Sequence, residues 1–272
     1  MKNLHLSLLA AALLCSAATA SASILVANDN FVAGPASTSV KAVTSGEGWT
    51  GGWQSKTPDT VRINTAAGAA SGALEFVGNA DKSAYRNFAE SQDGGLLVDF
   101  TFQFSGALVN NTFMGLWFGD HTGPNIGLKT NCDTGKEIVN KVVVPCTKDL
   151  FVRMAGTGGV YLPGSEVVAG VTYHLFGHLY KDAGAGTYNR FDAWLNPTAA
   201  EMQSLTGWDA SARGVTGLHS IDTIGFRTAN IAKGTTLRVD DLNFAEVPEP
   251  GSVALFGLAL AGMGALRRRR EA

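Results

Sequence analysis

Two histidines four residues apart, His174 and His178, lie in the apolar run Val171 to Lys181. On a strand, where side chains alternate, they share one side, with Phe176 between them and Tyr180 next. Such a row suits a sugar ring: aromatic faces pack on C–H surface while polar tips hydrogen-bond to hydroxyls. The plainer reading, an ordinary partly exposed sheet face, takes precedence because antiparallel sheets commonly show one side to water. Zinc fits poorly, since a strand holds the two imidazoles about 13 Å apart, too far to ligate one ion. Val171, Thr172 and Tyr173 favour the strand over a helix that would bring them together.

Asp240 and Asp241 stand where an alternation changes phase: Leu237 and Val239 share one face, Leu242 and Phe244 the other. A β-bulge produces such a break and re-aims the side chains beside it. Glycoside hydrolysis needs two carboxylates held roughly 5 to 9 Å apart. Glu75, Glu90 and Glu166 are isolated, and no strand carries Glu, Asp and Glu at alternate positions. No Gly-x-Ser-x-Gly elbow, His-Glu-x-x-His or P-loop occurs either. Trp49 and Trp53 flank Thr50-Gly51-Gly52 and could form a ligand platform, but a core role is the preferred reading.

The elements that must position these groups are strands. From Leu96 to Ser105, Val98, Phe100, Phe102 and Phe104 take one face and Asp99, Thr101 and Gln103 the other, the pattern of a half-buried strand. Further strands are expected at Val61–Asn64, Ala73–Val77, Phe113–Phe118, Ile138–Val144, Leu150–Met154, Val171–Lys181, Tyr188–Leu195, Ile221–Arg227 and Leu237–Phe244, with Gly-rich breaks between them. A chain with 33 glycines and so many short strands predicts an all-β, antiparallel β-sandwich. One short helix is expected at Thr198 to Ser204, where Thr198 caps and Glu201 completes a capping box.

The N-terminus carries Lys2, an apolar run from Leu4 to Ala18, and Ala18-Thr19-Ala20, the three regions of a signal that addresses a chain to the secretion translocon. Cleavage is expected after Ala20, with Ala22 the second choice. Cys15 leaves with this signal helix, and Leu14 stands where lipidation wants a small residue. Taking residues 1–20 as signal peptide and 247–272 as tail leaves a β-sandwich body, 21–246, of 226 residues with 16 basic and 21 acidic side chains. A net charge of −5 argues against nucleic acid as a partner. Cys132 and Cys146 remain, an even pair in an exported chain, read as a disulfide closing a short loop and worth roughly 3 kcal/mol. Asp133 and Glu137 alone are too few to make a metal site with them.

The tail reads Val247-Pro248-Glu249-Pro250, then the uncharged run Gly251 to Leu266, then Arg267, Arg268, Arg269 and Arg270. At about 1.5 Å per helical residue the run reaches roughly 24 Å, a short transmembrane helix. Its arginines would stay on the cytoplasmic side, placing the body across the membrane. These three parts, in this order, resemble the PEP-CTERM sorting signal of Gram-negative bacteria. The resemblance implies a partner, the membrane enzyme exosortase, that processes the chain near Pro248-Glu249-Pro250, so that the inner-membrane stage is transient.

A second resemblance spans most of the body. Asn28-Asp29-Asn30-Phe31 with Gly46-Glu47-Gly48-Trp49-Thr50-Gly51-Gly52-Trp53, then Phe191-Asp192-Ala193-Trp194, then Ile221 to Phe226 leading to Asp240-Asp241-Leu242, are similar to the concanavalin A-like (LamG-type) jelly roll. That fold implies two curved antiparallel sheets with the first and last strands adjacent, and it places the Trp49 segment in a turn. Adjacency would let Asp29 or Asn30 join Asp240 and Asp241 as oxygen ligands for calcium. Solvated carboxylates at a strand edge are the plainer reading, so no cofactor is required. The fold also hosts glycosidases. The function expected is that of an exported, non-enzymatic surface or matrix protein that binds polysaccharide; the alternatives are a glycan-active hydrolase and a purely structural matrix component.

Overall fold

Alternation does what it predicts. In the strand Gly95–Ser105, Val98, Phe100, Phe102 and Phe104 are buried while Asp99, Thr101 and Gln103 lie half-buried on the other side. The structure is a computed structural model that describes residues 23–32, 38–42, 44–56, 61–64, 72–78, 82–139, 142–155 and 158–247, without the side chains of 38, 42, 82 and 131–148. The signal and the apolar tail helix expected at the two ends lie outside these residues, and no described helix is long and apolar enough to cross a membrane.

The strands are β1 (Ile24–Asp29), β2 (Thr38–Ser39), β3 (Trp49–Ser55), β4 (Val61–Asn64), β5 (Ala73–Val77), β6 (Lys82–Gln92), β7 (Gly95–Ser105) and β8 (Phe113–Phe118). They continue with β9 (Asn125–Val139), β10 (Val142–Arg153), β11 (Val160–Tyr161), β12 (Thr172–Tyr180), β13 (Arg190–Leu195), β14 (Ala210–Arg213), β15 (Ile221–Ala229) and β16 (Thr236–Val247). Among the described residues they form two antiparallel sheets. The nine-stranded sheet runs β14-β13-β12-β7-β16-β5-β4-β2, with β1 also on β16, and the seven-stranded sheet runs β11-β10-β9-β8-β15-β6-β3. Inward side chains of both sheets make one core, including Phe100, Phe102, Phe118, Phe226, Leu237 and Phe244. First and last strands are adjacent, as the jelly-roll resemblance implies.

The phase change in β16 is a bulge. Pairing with β7 shifts between Asp240 and Asn243, and Asp241 takes a left-handed φ of 51°. On one side of the bulge β16 pairs with β5, on the other with β1. The helix α1 (Ala199–Ser204) has the capping box expected: Thr198 Oγ1 accepts from Glu201 N–H, and the Thr198 N–H donates to Glu201 Oε2.

Two expectations are corrected. Ile138 to Val144 is not one strand, because Val139 and Val142 pair with each other as the facing ends of β9 and β10. Trp49 to Trp53 is not a turn but most of β3, which pairs with β6. Cys132 and Cys146 belong to the β9–β10 pair beside the matched Asn131 and Thr147, but their side chains, and with them the expected disulfide, fall outside the described residues.

Candidate functional site

The outer face of the nine-stranded sheet carries the candidate site. In β12 the buried Tyr173, Leu175 and Leu179 face the core, so His174, Phe176, His178 and Tyr180 point outward. Cross-strand register sets their neighbours. Phe176 lies opposite Trp194 of β13 and Asp99 of β7, and Asp99 lies opposite Asn243 of β16. Phe176 and Trp194 pack ring to ring at 5.2 Å and form with Leu97 a small apolar cluster outside the main core, which Met202 and Leu205 at α1 cover. The face is therefore not an open aromatic platform: Phe176 is only 4% exposed.

On either side of this cluster the histidines take different partners. His174 Nε2 meets Asp99 Oδ1 at 2.5 Å. That hydrogen bond raises the imidazole above its usual range against the opposing effect of burial, and the charges of Asp99 and Asp241 add to it. His178 stacks on Tyr180 at 4.4 Å, and burial pushes it down to about 4, so it is neutral. Its Nε2 has no hydrogen-bond partner among the described residues. The Tyr180 hydroxyl donates to Asp192 Oδ2 at 2.9 Å; burial first, then that bond, pushes the phenol up to about 12. Arg190 lies over the Tyr180 ring and 3.6 Å from Asp192, with both charges almost fully buried.

Asp99 is expected to control the protonation of His174. In wild type the imidazole should titrate above 6.5, and in Asp99→Asn it should fall below it, because burial then acts without the anion. By linkage the pair's contribution to stability is full below 6.5 and is lost as pH rises through the folded value. NMR titration of the ring protons reads both forms; an unchanged midpoint in the variant would contradict the assignment.

A groove of about 210 Å³ runs beside the apolar cluster. Leu97, Asp99, Phe176, Asn243 and Ala245 form its floor, and Leu25 of β1 and Met202 of α1 its sides. It thus offers carbon surface with one carboxylate and one amide set into it. The Asp99 and His174 side chains are each about one-third exposed, at 34% and 30%. Of the residues singled out in the sequence, Phe176 lines this groove and His174 holds its Asp99, while His178 and Tyr180 turn into the Asp192 network. Asp99, Asp192, Asn243 and Met202 were not singled out: each needs strand or helix pairing to bring it in.

The calcium set does not assemble. Asp29 is fully buried, and four donors occupy its carboxylate: Phe31 N–H and Ser45 Oγ at Oδ1, Trp53 Nε1 and Arg86 Nη1 at Oδ2. Asp240 Oδ1 accepts from Asp241 N–H within the bulge, and burial pushes its carboxyl up to about 6. Among the described residues no group of three or more His, Cys, Asp or Glu could hold a metal ion. Calcium chelation does not fit a carboxylate already filled by hydrogen-bond donors.

Residues 246–270 match the PEP-CTERM protein-sorting motif. The chain carries that sorting signal. It marks a secreted protein that exosortase processes on the way to the cell envelope. Pro248, Glu249, Pro250 and Arg267 to Arg270 lie outside the described residues, and Val247 ends β16. No curated protein matches the sequence. The fold is similar to the Emp47p carbohydrate recognition domain, at 10% identity and a TM-score of 0.47, over 81% of this chain and 95% of that one. It is similar to the VIP36 exoplasmic/lumenal domain in its Ca²⁺/Man-bound form, at 11% identity and a TM-score of 0.47, over 76% and 86%. It is also similar to domain 4 of AbnA, an extracellular arabinanase from Geobacillus stearothermophilus, in complex with arabinotriose, at 12% identity and a TM-score of 0.46, over 83% and 93%.

Proposed function

We propose that this is an envelope or extracellular-matrix protein that exosortase releases from its tail and that binds glycan without catalysis, through the groove on the nine-stranded sheet. The groove's lining carries the binding half of the reading. Leu25, Met202 and Ala245, over the buried Leu97 and Phe176, present carbon where a sugar presents its C–H face, and Asp99 and Asn243 offer hydrogen bonds where it presents hydroxyls. Asp99 is already held by His174, which suits an acceptor of fixed direction more than a reacting acid. The reading calls on no metal. A hydrolase reading draws on Asp240, whose raised carboxyl stands one strand from the Asp99–His174 pair. A purely structural role is what remains if neither binding nor turnover occurs.

One preparation tests the proposal: the protein recovered from the producer's surface or medium. Its mass should lack residues 1–20 and Arg267 to Arg270, and on a glycan array it should bind a defined set of sugars. Leu25→Arg should weaken that binding about tenfold, the worth of one well-placed contact, with an unchanged melting temperature, and Asp99→Asn should weaken it as much while losing no more stability than its pair with His174 contributes. Retention of Arg270 in the secreted form contradicts the sorting half. An empty array contradicts the binding half, and release of reducing sugar establishes the hydrolase.

A further inference from the structure

The outer face of the seven-stranded sheet holds a second, unrelated cleft, of about 200 Å³, lined by Lys129, Phe151, Arg153, Gly158, Gly159 and Tyr161. Leu150 and Val152 point into the core, so Phe151 and Arg153 between and beyond them point out. The Arg153 guanidinium lies over two rings, 5.4 Å from the centre of Phe113 and 5.7 Å from that of Phe151. Arg227 of β15 adds a second guanidinium, 5.9 Å from the Phe113 ring. The backbone at Gly159 passes so near that a Cβ there would come within 2.9 Å of Phe151. The floor is thus aromatic and the rim cationic, in a body whose overall charge is negative.

Those cations are unevenly compensated. Asp149 faces Lys129 in the β9–β10 register and offers that lysine a carboxylate. Around Arg153 the influences are burial and the like charge of Arg227, both of which lower its affinity for its proton, with only the Tyr161 phenol opposing them. Its Nε is buried and has no hydrogen-bond partner among the described residues. A buried guanidinium edge over aromatic rings, beside an open cleft, is suited to a planar anion carried on an apolar body.

We propose that this cleft binds the carboxylate of an acidic sugar, Arg153 receiving the carboxylate and Tyr161 flanking the ring. Guanidinium and carboxylate match as planar forks, whereas a tetrahedral anion would use the cations and leave the rings idle. The cleft is smaller than the roughly 300 Å³ of a drug-sized pocket, so it takes one sugar unit, a chain end or a single residue of a polymer. The site is independent of the groove on the other sheet and does not rest on it.

Calorimetry on the mature protein with trigalacturonate, its neutral galactose counterpart and inorganic sulfate tests this. Trigalacturonate should bind at least about tenfold more tightly than either of the others. Arg153→Gln should weaken that binding by about tenfold or more and raise or preserve the melting temperature, since a half-buried charge beside the like charge of Arg227 is gone. Tyr161→Ser, at the rim, should weaken it several-fold, and Lys233→Gln, an exposed charge elsewhere, should leave it intact. Sulfate binding as tight as the uronate overturns the assignment, as does full binding by both Arg153→Gln and Tyr161→Ser, or no binding by the wild type.

Discussion

Asp29→Ala is expected to destabilise the body by about 3–5 kcal/mol, the usual cost of breaking a buried ion pair from one side. Asp29 ends β1 in the nine-stranded sheet, while Trp53 and Arg86 belong to β3 and β6 of the other, so its carboxylate ties the two sheets together at one end of the sandwich. Arg86, 2% exposed, reaches Asp29 Oδ2 at 2.6 Å, Ser45 O at 2.7 Å and Gly51 O at 2.9 Å, and lies over the Trp49 ring at 4.9 Å. Burial lowers its affinity for the proton, and the charge of Asp29 restores part of it. Removing the acid leaves that charge with carbonyls alone and orphans the Trp53 indole and the Phe31 amide. Denaturant unfolding in the presence of a calcium chelator measures the loss. A calcium-ligand role would make the substitution nearly silent there, whereas the clamp requires the full cost. Arg86→Met should be comparably severe, and the two should be strongly non-additive in a double-mutant cycle. Additivity, or a loss under about 1 kcal/mol, would remove the clamp from the account.

The glycines that lead into Trp49 to Trp53 bear on why the resemblance places that segment in a turn. Gly46 and Gly48 adopt φ of +82° and +80°, and a Cβ at either would come within 1.9 Å of a carbonyl oxygen of β1. The glycines let this stretch lie flat against β1. The chain then enters a true strand whose Trp53 is buried and whose Trp49 donates from its indole to Asn28 O.

What the sequence made legible was whatever one strand or turn decides alone. The Phe100 side of β7, the Thr198–Glu201 box and the phase break at Asp240 each follow from residues within a few positions of one another. What stayed hidden needed two distant segments. β6 went unread because Arg86 occupies an inward position, and an arginine there looks like a broken alternation until Asp29, 57 residues away, is brought to it. His174 and His178 were rightly placed on one side of a strand. Which acid each would meet depended on β7 and β13 flanking β12, and whether Phe176 would be open depended on α1. Asp29 carries the oxygens a calcium site would use, and only its four donors reveal that they are spent inside the fold.

Glu75 sets a second test, in which acid rather than mutation first reveals the contribution. The side chain is 1% exposed on the outer face of β5, and it accepts from Arg62 Nε at 2.8 Å, Asn64 Nδ2 at 2.8 Å and Arg238 Nε at 2.7 Å. Burial alone would raise its carboxyl, but the hydrogen bonds from Asn64, Arg238 and Arg62 outweigh it and hold the group below the usual 4.5. A carboxyl lowered by folding stabilises the folded state fully above the unfolded-chain value, and that stabilisation is lost as pH falls through the lower folded value. Wild type should therefore lose stability on acidification below about pH 4.5, and Glu75→Gln should lack this step. At pH 7 the variant should be weaker by about 2–3 kcal/mol, in the range for hydrogen bonds to a charged group. Arg62 and Arg238 are 38% and 42% exposed and can turn to water, which keeps the loss below that for Asp29. The difference between variant and wild type should then shrink as pH is lowered. A constant difference from pH 7 to pH 3 would show that folding leaves the Glu75 carboxyl unshifted, and a difference that grows on acidification would show that burial outweighs its three partners.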